Sequence, residues 1–124
     1  MVESRVILVL EGDSHTRQSC LGILAAGGYT VLEADNSMEA LLLAAEREGA
    51  VDLLLTGSNP PGITRGELAL AFSMLWPDID VMYLGETSTQ NHTQELAHPV
   101  ARTPITPESL LNAVQQLLET PVPA

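Results

Sequence analysis

The stretch Val51-Asp-Leu-Leu-Leu-Thr-Gly-Ser-Asn-Pro-Pro-Gly62 constrains the fold more than any other part of the chain. Its first half is apolar almost without interruption, and its second half is rich in proline and glycine. A strand with one wet face alternates apolar and polar side chains. A continuous apolar run instead reads as a strand covered on both faces, as in a parallel sheet between two helical layers. The Pro/Gly half then turns the chain out of the sheet. Parallel neighbours need a crossover connection, usually a helix. This segment alone therefore implies strands that alternate with helices.

The rest of the chain supplies that alternation. Val6–Leu10 is a short apolar run, read as the first strand. Ser14–Ala26 carries Arg17, Cys20, Leu21 and Leu24 at helical spacing and ends at Gly27-Gly28, so it predicts a helix with one inward face. Residues 29–34 form the second expected strand. Asn36 followed by Glu39 has capping-box spacing and opens a helix over 38–48, closed by Gly49. The third strand is expected over 51–56. Arg65–Leu75 predicts a third helix, with Leu68, Ala71, Phe72 and Leu75 facing inward and Pro77 as the stop. Residues 80–84 predict the fourth strand, 87–97 a short fourth helix, and 100–102 the fifth strand.

The last helix has the clearest start. Thr106 is an N-cap residue, Pro107 suits the first helical position, and Glu108 complements the positive end of the dipole. Leu110, Val114, Leu117 and Leu118 give it a buried face, and Pro121 and Pro123 end it. Five strands alternating with five helices imply an α/β fold: a flavodoxin-like (βα)5 three-layer sandwich with parallel strand order 2-1-3-4-5. At 124 residues the chain is read as a single domain, 1–124. In such folds a site forms at the carboxyl ends of the strands.

Charge and composition narrow the partners. Sixteen acidic residues against five arginines give a net charge of −11. Such a surface repels nucleic-acid phosphates and anionic membranes. No apolar run reaches the ~20 residues that span a bilayer, and without a positive stretch ahead of a long apolar segment no secretion signal is expected. Cys20 is the only cysteine, which rules out an internal disulfide and suits a cytoplasmic setting.

From about Arg5 to Leu118 the order and spacing of these pieces resemble a response-regulator receiver domain. The resemblance is carried by 7–13, by Gly28-Tyr-Thr-Val-Leu-Glu-Ala-Asp35, by 51–62 and by Thr103-Pro-Ile-Thr-Pro-Glu-Ser-Leu-Leu111. In that family two acids after the first strand hold Mg²⁺ together with an acceptor aspartate and a loop carbonyl. A Ser/Thr ending the fourth strand and a lysine ending the fifth then bind the phosphoryl group. Taken position by position, the resemblance places Glu11 at the first acid. Gly12 falls at the second acid, with Asp13 next to it. Gly57 falls at the acceptor, Asn59 at the loop carbonyl, Gly85 at the hydroxyl and Thr103 at the lysine, before Pro104. Val100 falls where the family has a switch aromatic. The chain contains no lysine at all.

The resemblance thus implies a degenerate pseudo-receiver without its phospho-acceptor. Gly12, Gly57 and Gly85 are expected to leave a shallow, uncharged depression, which neighbouring side chains are expected to fill, and Glu11 alone is a poor Mg²⁺ site. No metal, cofactor or enzymatic activity is expected. The expected function is regulatory protein–protein interaction in two-component signalling, with a sensor histidine kinase or phosphotransfer domain as partner. The family's working surface corresponds to residues 87–118. It offers Gln94, Arg102, Asn112, Gln115 and Gln116 as candidate contacts and a route to a homodimer. Two alternatives stand beside this: residual Mg²⁺-dependent phosphotransfer through Asp13 with Glu11, and a small-ligand sensor at the glycine-lined depression.

Several residues carry simpler readings. Asp13 has the position of a helix N-cap, and Ser58 that of a solvated turn serine. Cys20 lies on an apolar face and packs. His15, His92 and His98 lack ligand spacing. Trp76, before Pro77, packs against a helix end.

Overall fold

The computed structural model describes residues 5–57, 65–86, 100–103 and 106–119. Five strands, β1 (Val6–Leu10), β2 (Thr30–Ala34), β3 (Leu53–Thr56), β4 (Asp80–Glu86) and β5 (Val100–Thr103), form one parallel sheet in the order β2-β1-β3-β4-β5. Four helices are described: α1 (Ser14–Ala26), α2 (Ser37–Glu46), α3 (Arg65–Leu75) and α4 (Pro107–Glu119). The helix expected over 87–97 lies outside the described residues.

The period-two geometry of strands sorts the central apolar runs into two cores. Ile7 and Val9 of β1, Leu53 and Leu55 of β3, and Met82 and Leu84 of β4 meet Cys20 and Leu24 of α1 and Leu110, Val114 and Leu118 of α4. Leu8 and Leu10, Leu54, and Val81 and Tyr83 turn the other way, onto Ala40 and Ala44 of α2 and Leu68, Ala69 and Phe72 of α3. This is why β3 reads as an uninterrupted apolar run: both of its faces are covered. Burying a leucine fully contributes about 1.5–3 kcal/mol, and six leucines of β1, β3 and β4 lie in these two clusters: Leu8, Leu10, Leu53, Leu54, Leu55 and Leu84.

Local chemistry sets the helix ends. Asn36 accepts the Glu39 N–H at 2.9 Å, and Glu39 Oε1 accepts the Asp35 N–H at 3.0 Å, a reciprocal cap one residue ahead of the expected start. α2 ends at Glu46, two residues earlier than expected. Glu48 (φ 55°) and Gly49 (φ 79°) are left-handed, which reverses the chain toward β3. Gly49 also lets Trp76 lie against the backbone, since a Cβ there would strike the indole ring. Trp76 meets Phe72 edge to face, with centroids 5.2 Å apart.

The inward face of α3 differs from the expected one. Leu68, Ala69 and Phe72 are buried, continued by Trp76. Ala71 is half-buried and Leu75 is exposed. The indole's seat on Gly49 fixes this phase, because Phe72 and Trp76 must then share one side of the helix. Strand bounds shift as well. Tyr29 is buried but precedes β2, and β3 starts at Leu53 because the Asp52 carboxylate turns aside to accept the Val6 N–H at 2.8 Å. β4 and β5 run on through the pairs Gly85–Arg102 and Glu86–Thr103, so Gly85 lies inside a strand.

Candidate functional site at the carboxyl end of the sheet

β1 and β3 pair in register up to Leu10 and Thr56, which brings Glu11 and Gly57 out of the sheet side by side. The Gly57 N–H donates to the Leu10 carbonyl at 2.8 Å, and the buried Thr56 hydroxyl donates to the Gly57 carbonyl at 3.3 Å. Gly57 is therefore fixed by its own backbone and its neighbour. It is buried although it has no side chain, because the Glu11 carboxylate covers it. A Cβ added at Gly57 would lie 2.9 Å from Glu11 Cδ and would meet Glu11 Oε1 more closely still.

The Glu11-Gly12-Asp13 turn holds that carboxylate in place. Glu11 Oε2 accepts the Asp13 N–H at 2.9 Å. This backbone N–H stands at the start of α1, where a negative charge is favoured. The depression expected to be uncharged thus carries a carboxylate where it adjoins Gly57. The room left by the missing side chain admits Glu11, and the helix start gives it a donor.

Asp13 faces its own helix. Its Oδ2 accepts the Thr16 N–H at 2.8 Å and the Thr16 hydroxyl at 2.7 Å, as an N-cap does. The Thr16 hydroxyl bond, followed by the backbone bond, lowers the Asp13 pKa below its ordinary 3.8.

Arg17 has a role that the sequence did not reveal. Its helical spacing with Cys20 and Leu24 implies an inward side chain. Instead its Nη1 donates to the Glu11 carbonyl at 2.7 Å and its Nε donates to Glu33 Oε1 at 3.1 Å. The guanidinium ties the end of β1 to β2 and steadies the backbone that carries Glu11. The one sequence signal was a cation at a nominally apolar position of an amphipathic helix.

Below the site, Cys20 is fully buried. Burial, reinforced by the Glu11 charge, pushes its thiol up to about 11, so it stays protonated and unreactive at neutral pH.

These donors do not fit the family's metal ion. Gly12 and Gly57 offer no carboxylate, Asp13 Oδ2 caps α1, and one Glu11 oxygen is taken by the Asp13 N–H. Magnesium takes octahedral oxygen ligation with several anionic or water ligands. Among the described residues no three His, Cys, Asp or Glu side chains are grouped to hold a metal.

The remaining candidate positions divide. Asn59 and Gln94 lie outside the described residues. Arg102 and Thr103 hold the β5 positions opposite Gly85 and Glu86, and Val100 opens the strand. Asn112, Gln115 and Gln116 are exposed on α4.

No family model and no curated protein sequence matches the chain. Solved structures do. The chemotaxis response regulator CheY4 of Vibrio cholerae superposes with a TM-score of 0.84 at 25% identity, over 94% of this chain and 100% of that one. The receiver domain of the hybrid histidine kinase CckA is 30% identical, with a TM-score of 0.77 over 91% of this chain and 98% of that one. A response regulator from Chloroflexus aurantiacus J-10-fl shares the fold at 18% identity, with a TM-score of 0.82 over 94% and 99% of the two chains.

Proposed function

The chain belongs to the response-regulator receiver family, and from that premise we propose that it works by protein contact in two-component signalling, without phosphoryl transfer. Gly57 carries this reading. The family's acceptor is a side-chain carboxylate at the end of the third strand, and glycine has none. The placement of Glu11 supports it further. The carboxylate fills the space above Gly57 and brings negative charge to the point an incoming phosphate would approach.

A phosphoryl acceptor needs a free carboxylate oxygen and a cation to offset the charge on the phosphate. Asp13 is committed to its own helix: its Oδ2 accepts from both the Thr16 N–H and the Thr16 hydroxyl, while the neighbouring Glu11 carboxylate is held against Gly57 by the Asp13 N–H. A small ligand would have to displace Glu11 from the same space. Both alternatives therefore weigh less than a non-enzymatic module whose state is set by its partner and by its own abundance.

By analogy with the receiver of the hybrid histidine kinase, the partner is a kinase dimerisation domain or a phosphotransfer domain. Contact would run through residues 87–118, including Gln115 and Gln116, with a homodimer through the same surface as a variant. No described helix is long and apolar enough to cross a membrane, and a cytoplasmic setting is part of the proposal.

Amide spectra recorded with and without Mg²⁺ plus acetyl phosphate test the reading. Unchanged Gly12, Gly57 and Gly85 resonances and an unchanged intact mass are the expected result. Saturable, metal-dependent shifts at these glycines that last until hydrolysis would overturn it.

A further inference from the structure

We infer that the outer surface of α2 and α3 is a docking face for a basic amphipathic helix of a partner protein. All of the exposed large apolar side chains among the described residues are on these two helices: Met38 and Leu42 on α2, and Leu70, Met74 and Leu75 on α3. They are 54–75% exposed. α1 and α4, on the other side of the sheet, have none.

The placement follows from helix geometry. Ala40 and Ala44 anchor α2 to the sheet, and Leu68 and Phe72 anchor α3. Met38 and Leu42 lie two positions before those anchors, and Leu70 and Met74 lie two positions after theirs. At 3.6 residues per turn this is a rotation of about 200°, so each pair crowns the helix directly opposite its buried face. Both helices pack on the same side of the sheet, and Trp76 on Gly49 joins their carboxyl ends. The crowns therefore belong to one layer. Isolated apolar residues on a surface are ordinary, but two i, i+4 pairs on one layer with none on the other mark an interaction face.

Charge decides the occupant. Glu39, Glu46 and Glu48 flank the α2 crown, Glu67 begins the α3 crown and Asp78 follows its end, five acids against the two arginines of this layer, Arg47 and Arg65, within a chain of net charge −11. A second copy would bring another −11 against this face, and an anionic membrane or nucleic acid would be repelled. A helix with a leucine ridge and lysine or arginine flanks matches both the apolar crowns and their acidic border. The inference rests on the proposed reading for its claim of a protein partner. The two fail separately, since acetyl phosphate is tested without peptide and the peptide without phosphate.

The probe is a fluorescein-labelled peptide of roughly 18 residues, with leucine at i, i+3, i+4 and i+7 and lysine elsewhere. Its control has the same composition with the leucines scattered. The expected result is saturable anisotropy with the patterned peptide only. It should weaken about tenfold in Leu70→Gln/Met74→Gln and in Met38→Gln/Leu42→Gln, and stay unchanged in Gln115→Ala/Gln116→Ala. These substitutions are exposed and charge-neutral, and circular dichroism verifies their folding. Equal binding of both peptides would reduce the effect to charge and overturn the inference. So would insensitivity to the crown substitutions. A sedimenting dimer that dissolves in the crown variants would assign the face to a second copy instead, and would also overturn it.

Discussion

The Glu11 carboxylate stands where the first carbon of any side chain at position 57 would have to go. A Cβ on Gly57 would lie 2.9 Å from Glu11 Cδ. The two positions are therefore coupled, and substitution at one depends on the residue at the other.

A double-mutant cycle reads that coupling. Gly57→Ala alone expels the Glu11 carboxylate and breaks its bond to the Asp13 N–H, a loss of about 0.5–1.5 kcal/mol. Reduced freedom of the unfolded chain returns about 0.4–1 kcal/mol, because Gly57 is not in a left-handed conformation. The net change in urea unfolding should stay within about 1 kcal/mol. In a Glu11→Ala background the same substitution should become stabilising, by about 0.4–1 kcal/mol. Simple additivity would show that the two residues do not share this space.

The Asp13 cap gives a pH signature. Its folded pKa lies below 3.8 because Thr16 stabilises the charged form. The stabilisation is therefore present above pH 3.8 and is lost as pH falls through the lower folded value. Asp13→Ala should reduce the urea midpoint at pH 7. Asp13→Asn should keep most of it, since asparagine caps equally well. It should also flatten the stability profile below pH 4 relative to wild type. An Asn variant as weak as the Ala variant would mean that charge matters more than the cap.

Gly49 combines a left-handed backbone with an indole lying against it. Gly49→Ala should cost about 2 kcal/mol in thermal or urea unfolding, from the φ of 79° and the displaced ring together. Trp76→Leu should remove only part of this penalty in the double variant. Full rescue would assign the whole effect to the ring.

Cys20 should resist alkylation until the chain opens. With the thiol near pKa 11, iodoacetamide labelling at pH 8 should follow unfolding and accelerate with urea. Because labelling passes through the opened chain, Glu11→Gln should change its rate only as far as it changes stability, although Glu11 adds to the raised thiol pKa in the folded state. Rapid labelling of folded wild type at pH 8 would contradict the burial of this thiol.

Much of the architecture was legible because its signals are local and redundant. Unbroken apolar runs announced β1 and β3, and the Asn36–Glu39 and Thr106-Pro107 starts marked α2 and α4. The phase of α3 was not legible. Leu68, Ala69, Leu70, Ala71, Phe72, Met74 and Leu75 are apolar nearly all round the helix, so periodicity selects no single face. The choice is made by a distant contact, Trp76 on Gly49, and that choice also leaves Leu70 and Met74 outside. At the site, the absent groups could be read from residue identity at Gly12 and Gly57. The direction of Glu11 could not, because its rotamer depends on a space belonging to another strand and on an N–H of the following helix. Arg17 escaped for a similar reason, since both of its partners lie outside α1.

Trp76 is the chain's single tryptophan. Lodged between Gly49 and Phe72, it is a native optical reporter at the seam of the α2–α3 layer. Its emission records any movement of one helix against the other without an added label. A ligand on the opposite layer would leave the signal silent, so a single cuvette can tell which side of the sheet has been engaged.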